Sequence, residues 1–157
     1  MSRQYWLFKS EPGCYSVDDL AAQPDQTDHW DGVRNYQARN YLRDEIKRGD
    51  GVFFYHSSCQ PAGIVGICKV VRDSYPDHTA LAPEADHFDP KATRDAPIWF
   101  MIDLKLVRKL PDMITLAQLK ATPGLEGMAV CQRGSRLSIQ PVSTSEWDVI
   151  MMLAKEA

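Results

Sequence analysis

Three short apolar runs, each bounded by turn residues, constrain the fold of this chain more than any other feature. They occupy residues 5–8, 52–55 and 64–71. Runs of this length that are rich in aromatic and β-branched side chains predict buried β-strands. A polar turn at residues 57–61 separates the second run from the third, so we expect these two strands to form a hairpin.

Helix starts are marked by capping residues. Asn35 precedes an apolar stripe of helical spacing, which predicts a helix over residues 36–47 that stops at Gly49. Ser16, Thr115 and Ser143 predict further helix starts. Residues 98–107 predict a strand, and residues 128–131 and 136–139 are weaker strand candidates. Residues 24–31 form a polar connector, and residues 73–96 predict a long acidic loop.

The mixed order of strands and helices predicts the fold class. Few strands are joined by helical crossovers of regular length, so we expect an α+β fold with a curled, mostly antiparallel sheet flanked by short helices. A chain of 157 residues fits one domain, here residues 1–157.

Composition and charge narrow the function classes. A net charge of −3 argues against a generic binder of nucleic-acid phosphates, although basic residues can still cluster locally. No apolar run reaches the length of a membrane span, and the first residues lack the features of a signal peptide, so we expect a cytoplasmic protein without membrane contact. The four cysteines have no C-x-x-C spacing and are expected to be reduced thiols, with Cys68 in the core.

No catalytic or cofactor motif stands out. The sequence lacks a glycine-rich phosphate loop, an HExxH motif and a GxSxG turn, so we predict neither a cofactor nor a catalytic constellation. His78 and His87 share the acidic loop with Asp77, Asp86 and Asp89. A solvated polar loop is the favoured interpretation of this cluster, and no metal site is predicted.

A binding pocket has more support. Trp30 stands at the end of a polar connector, where it is either an ordinary core residue or a stacking platform for a flat ring. Asn35 is a helix cap, and with Arg34 it is also placed to meet an anion or an amide-like edge. The aromatic strand through Phe54 ends in His56 and Ser57, which is typical of a pocket wall. Lys9 and Ser10 end the first strand in the same way.

Basic residues fall into two clusters, which are either solvated surface or the rim of a pocket. The first comprises Arg34, Arg39, Arg43, Lys47 and Arg48, and the second comprises Arg133 and Arg136. If the clusters converge, they can hold a nucleic-acid backbone while one base is recognised.

Longer stretches resemble a known family. Seven segments are similar to those of EVE domains, namely YWLFKSEP (5–12), YSVDDL (15–20), WDGVRNYQARNYLR (30–43), GDGVFFYHSS (49–58), GIVG (63–66), YPDHT (75–79) and RLSIQP (136–141). The resemblance implies a PUA-like fold, a small curled β-barrel related to the YTH and SRA-type readers. It implies that the domain captures one modified nucleobase of DNA or RNA in an aromatic-lined pocket, without cutting the strand.

Site residues follow from this resemblance. It implies a base-binding pocket made of Lys9, Ser10, Trp30, Asn35, Tyr36, Phe54, His56 and Ser57. Phosphates are expected to contact Arg34, Arg39 and Arg133. A further pocket aromatic is expected at Tyr75, Phe88 or Trp99.

Two other functions stay open. PUA-like ASCH relatives include small hydrolases of modified nucleosides, and Lys9 and Glu11 fit such a role. The net negative charge also allows a module that binds a small metabolite or a protein.

Overall fold

The fold is built on one six-stranded sheet. A computed structural model describes residues 3–134 and 137–156. The strands are β1 (Tyr5–Ser10), β2 (Thr27–His29), β3 (Gly51–His56), β4 (Gly63–Pro76), β5 (Phe100–Thr115) and β6 (Ile139–Val142). Their order is β2-β5-β4-β3-β1-β6, and every neighbouring pair is antiparallel except β1 and β3. The predicted α+β class with a mostly antiparallel sheet is confirmed.

Strands β4 and β5 are longer than predicted. The expected loop over 73–96 begins only after Pro76, and β5 continues to Thr115. The outer parts of both strands carry exposed polar side chains, which obscure the apolar pattern that predicts a strand. Four register shifts interrupt the pairing of β4 with β5. Such irregularities bend strands and increase their twist, which curls the sheet.

The helices are short and begin where their caps predict. They are α1 (Val17–Ala21), α2 (Tyr36–Asn40), α3 (Leu116–Ala121) and α4 (Thr144–Glu156). Ser16 and Thr115 form capping boxes, and Asn35 caps α2. Ser143 accepts a hydrogen bond from the Glu146 amide at the start of α4. No helix within the described residues is long and apolar enough to span a bilayer.

Other sequence-based boundaries were wrong. The helix predicted over 36–47 changes at Tyr41 to a π-helical turn, in which the Ile46 amide donates to the Tyr41 carbonyl at 2.8 Å. Residues 128–131 contain a 3-10 turn rather than a strand. β2 lies unpredicted in the polar connector. The strand candidate at 136–139 begins only at Ile139, and Arg136 lies outside the described residues.

Apolar clusters cover both faces of the sheet. On one face, Trp6 and Phe8 pack with residues of α1 and α2. On the other face, Leu7 and Phe53 pack with residues of α3 and α4. Successive strand residues point to opposite faces, so a strand covered on both sides is apolar throughout. This explains the apolar runs in the sequence, and Cys68 lies in the first cluster as expected.

A buried carboxylate joins the start of β1 to the start of β3. Asp50 accepts hydrogen bonds from the Trp6 indole N–H at 3.0 Å and from the Gln4 amide at 3.1 Å. It also accepts one from the Lys47 amide at 2.9 Å. Three donors are therefore satisfied by one side chain that is almost inaccessible to solvent.

Replacing this carboxylate should destabilise the protein strongly. We expect Asp50→Ala to lower the free energy of unfolding by about 2–4 kcal/mol, because buried donors lose their acceptor. Urea denaturation followed by circular dichroism measures the change. The exposed side chain of Asp112 forms no hydrogen bond with a described residue, and Asp112→Ala should leave the midpoint of urea denaturation unchanged. Equal midpoints for both variants would contradict the role given to Asp50.

Candidate functional site

A cleft of about 600 Å³ opens at the end of β1. We call it the Trp30 cleft. Its walls come from the end of β1 and the following turn, from the segment after β2, from the loop after β4 and from the residue before β6. The lining residues are Lys9, Ser10, Glu11, Cys14, Tyr15, Trp30, Asp31, Gly32, Val33, Arg34, Asp86, His87 and Ser138.

Trp30 forms an aromatic wall that rests on the core. Its amide donates to the Ile102 carbonyl at 2.8 Å, which extends the pairing of β2 with β5. Its indole contacts the rings of Phe8 and Phe54, with centroids 5.3 and 5.4 Å away, and meets Tyr15 edge-on at 6.3 Å. The side chain is half-buried and borders the cleft. Trp30 is thus both a core residue and a fixed, accessible aromatic surface.

Polar groups at the end of β1 are held in place. The Ser10 hydroxyl donates to the Tyr15 carbonyl at 2.6 Å, and the Tyr15 hydroxyl donates to Asp28 at 2.6 Å. Burial, then the hydrogen bond to Asp28, raises the pKa of Tyr15, so this phenol stays protonated. Burial lowers the pKa of the Lys9 ammonium. The side of the cleft nearest β1 is therefore rigid and partly shielded from water.

Asp77 fastens the loop after β4 to the segment after β2. This buried carboxylate accepts hydrogen bonds from the Gly32 amide at 2.8 Å, from Arg34 at 3.1 Å and from the Thr79 hydroxyl at 2.6 Å. Burial alone opposes its charge, but the hydrogen bonds from Thr79, Gly32 and Arg34 outweigh burial and hold its pKa below the usual value. The expectation of a solvated loop was wrong here.

Arg34 and Gly32 position His87 at the mouth of the cleft. The Arg34 guanidinium donates to the His87 carbonyl at 2.9 and 2.7 Å and to the Thr79 hydroxyl at 3.2 Å. The His87 ring lies so close to Gly32 that a Cβ atom there would be 2.6 Å from the imidazole, and Gly32 has a φ of +77°. The donors of the Arg34 guanidinium are therefore used in contacts within the fold. Position 32 requires glycine, because a side chain there would clash with His87 and the backbone has a positive φ.

The His and Asp side chains of the same loop do not form a cluster that could hold a metal ion among the described residues. Asp89 accepts a hydrogen bond from the Trp99 indole at 2.6 Å. Over residues 3–134 and 137–156, no three His, Cys, Asp or Glu side chains cluster in a way that could hold a metal ion.

Four of the predicted site residues meet in the Trp30 cleft, namely Lys9, Ser10, Trp30 and Arg34. Several others lie nearby without lining it. Phe54 is buried beneath Trp30. Asn35 is exposed and its side chain caps α2 through the Ala38 amide at 3.0 Å. His56 accepts a hydrogen bond from the Val17 amide at 3.1 Å.

The aromatic and basic residues beyond Asn35 also lie outside the cleft. Tyr36 packs on Trp99 with ring centroids 5.0 Å apart, and Arg39 lies over Tyr36 while it donates to the Ile98 carbonyl at 2.8 Å. Tyr75 donates to Asp103, and Phe88 is partly exposed. None of the three aromatics expected to complete the pocket lines the Trp30 cleft; Tyr15 does so instead.

A second cleft of similar volume lies beside the first and contains Ser57 and Arg133. We call it the Lys120 cleft. Its lining residues are Lys9, Tyr55, Ser57, Ser58, Ala62, Leu116, Lys120, Val130, Gln132, Arg133 and Gly134.

Sequence reasoning missed part of the Trp30 cleft. Tyr15 and Ser138 lie in segments similar to the family, YSVDDL and RLSIQP, and could have been found there. His87 and Asp86 carry no local pattern that points to the cleft, because their place depends on Asp77 and Arg34, which are distant in the chain.

A family model described as the EVE domain matches residues 4–153. The chain belongs to the EVE domain family. Human thymocyte nuclear protein 1 is 44% identical over 97% of this chain and 74% of its own length. The mouse protein of the same name is 46% identical over 95% of this chain and 73% of its own length.

Solved structures of EVE proteins share this fold. Human THYN1 in complex with DNA that contains 5-methylcytosine has a TM-score of 0.90 at 43% identity, covering 98% of this chain and 99% of that one. A Pseudomonas syringae protein has a TM-score of 0.89 at 45% identity, covering 96% and 99%. An ASCH protein of Zymomonas mobilis has a TM-score of 0.55 at 11% identity, covering 96% of this chain and 99% of that one. This likeness shows the fold alone.

Loss of the Asp77 carboxylate should release the loop after β4. We expect Asp77→Ala to lower the free energy of unfolding by about 2–4 kcal/mol, because a partly buried guanidinium, two amides and a hydroxyl lose their acceptor. Limited proteolysis should cut the loop over 82–96 faster than in the wild type. The exposed Asp95 in this loop provides the control, and Asp95→Ala should leave both readouts unchanged. Wild-type resistance in Asp77→Ala would contradict the role of Asp77.

His56 should make stability depend on pH. Burial lowers the pKa of His56, and its ring nitrogen must be neutral to accept the Val17 N–H. The unfolded chain binds this proton more readily, so stability is full above about pH 6.5 and declines as the pH falls below it. Urea denaturation across this range should show the decline. His56→Asn, which keeps an acceptor that does not titrate, should make it shallower; an identical pH profile would contradict the assignment.

Proposed function

We propose that this chain is a nucleic-acid reader that holds a single, modified nucleobase in the Trp30 cleft. The observation that carries the proposal is Trp30 itself, an accessible indole fixed against the core beside a cavity of about 600 Å³. A volume of this size is typical of small-ligand sites. A flat heterocycle that enters it can stack on the indole.

The polar lining suits the edge of a base. Glu11, Asp31 and Asp86 supply carboxylate acceptors for amino or imino groups. Lys9 lies on the β1 side of the cleft and can donate to a carbonyl or ring-nitrogen acceptor. The Ser10 hydroxyl lies beside it and already donates its proton to the Tyr15 carbonyl, so it can accept from an amino group. The cleft thus offers an apolar face and a polar rim, the arrangement that specific recognition of a small planar ligand requires.

The energetics allow base capture from a flexible strand. Extruding a base from its stack costs a few kcal/mol, and less in a single strand. Stacking on an aromatic side chain returns about 1–3 kcal/mol per base. The hydrogen bonds at the rim must supply the remainder, so affinity should depend on the base and on its modification.

Similarity to human THYN1 supports the class of ligand. That protein has been crystallised with DNA that contains 5-methylcytosine, and it shares 43% of its residues with this chain. A 5-methylcytosine oligonucleotide is therefore the first ligand to test, with RNA and other modified bases in the same panel.

The hydrolase alternative has less support. Lys9 and Glu11 do line the same cleft, but the ASCH likeness at 11% identity shows fold alone. We propose that the chain binds and does not cut. A cytoplasmic location stays a prediction.

Removing the indole should weaken binding of the modified oligonucleotide. We expect Trp30→Ala to weaken binding of the modified oligonucleotide at least tenfold, because one stacking contact is worth about 1–3 kcal/mol. Fluorescence anisotropy at fixed low salt measures the affinity. Trp30→Phe keeps an aromatic face and should lose less.

A matched control is Tyr36→Ala, which removes an exposed aromatic ring outside the cleft. It should bind as the wild type does. Unchanged affinity in a folded Trp30→Ala variant would remove Trp30 from the site, and an equal loss in Tyr36→Ala would move the site to the surface of α2.

A further inference from the structure

The two clefts adjoin each other at the ends of β1 and β3. Lys9 lines both of them. The Ser57 amide donates to the Ser10 carbonyl at 3.0 Å, so the two strands end side by side. Ser10 borders the Trp30 cleft and Ser57 borders the Lys120 cleft. A ligand that fills the first cleft therefore has the second as its immediate neighbour.

The clefts differ sharply in charge. The Trp30 cleft is lined by three carboxylates, those of Glu11, Asp31 and Asp86, and its Arg34 is already bonded to the loop after β4. The described residues that line the Lys120 cleft include three cations, Lys9, Lys120 and Arg133, and no carboxylate. A phosphodiester is repelled by the first set of charges and attracted by the second.

Lys120 and Arg133 are the accessible cations of the second cleft. Lys120 lies at the end of α3 and Arg133 follows the 3-10 turn, and both side chains are exposed. Neither side chain forms a hydrogen bond or an ion pair with a described residue. Arg34 and Arg39, by contrast, donate to main-chain carbonyls of their own fold. The Lys120 cleft therefore has cations that can contact an anionic ligand.

We propose that the Lys120 cleft binds the sugar-phosphate backbone of the strand whose base occupies the Trp30 cleft, with Lys9, Lys120 and Arg133 contacting phosphates. This inference rests on the proposed function. It assigns base recognition to one cleft and positioning of the strand to the other. Nucleic-acid-binding proteins commonly divide the contacts in this way, because phosphate contacts fix the register and base contacts provide the specificity. It also explains how a chain of net charge −3 can hold a polyanion.

The dependence of affinity on salt tests this division. Binding of single-stranded oligonucleotides with one 5-methylcytosine or one cytosine is measured by anisotropy from about 50 to about 200 mM salt. Lys120→Ala and Arg133→Ala should each weaken both complexes by the same factor, several-fold at low salt. Each should make the slope of log K against log salt shallower by about 0.7, the value for one lost contact to a single strand. The preference for the modified strand should not change.

Lys47→Ala is the matched control. Lys47 is exposed and precedes the start of β3, at the far end of that strand from the Lys120 cleft. The affinity of the Lys47→Ala variant and its slope of log K against log salt should equal those of the wild type. Wild-type slopes in folded Lys120→Ala and Arg133→Ala, with selectivity intact, would overturn the inference alone. A wild type that does not distinguish the two strands would instead overturn the proposed function.

Discussion

The parallel pairing of β1 with β3 determines where the site can form. All other neighbouring strands are antiparallel, and a parallel pair needs a long connection to return the chain to the same end. Here that connection runs from Glu11 to Asp50 and contains α1, β2, α2 and Trp30. The connection starts at the end of β1, and its Trp30 segment returns to β1 because the indole packs on Phe8 and Phe54. The end of β1 and this connection thus supply most of the residues that line the cleft.

The buried carboxylate of Asp77 completes the cleft from the opposite side. Its bonds to Gly32 and Arg34 bring a second long loop against the first, and His87 becomes part of the wall. A charged group in this position is costly to bury, and the four hydrogen bonds that it accepts from Gly32, Arg34 and Thr79 compensate for that cost. This one side chain holds two long connecting segments in a defined arrangement.

Local features were predictable from the sequence, and distant ones were not. Asn35 and Ser16 were identified as caps because the bonds that they make lie within one helical turn. The π-helical turn after Asn40 was missed, since no local pattern distinguishes it from a continuing α-helix. Trp30 stood out as an aromatic residue in a polar segment. The hydrogen bond between Gly32 and Asp77 joins residues 45 positions apart, and no sequence pattern near either residue predicts it.

The internal role of Arg34 changes how substitutions at this position are to be interpreted. Its guanidinium reaches the His87 carbonyl, the Asp77 carboxylate and the Thr79 hydroxyl at once, a geometry that the single ammonium group of a lysine cannot reproduce. If homologues keep an arginine at this position, the reason would be structural, because the side chain joins two loops. Ligand preference can then diverge between family members while this residue stays the same.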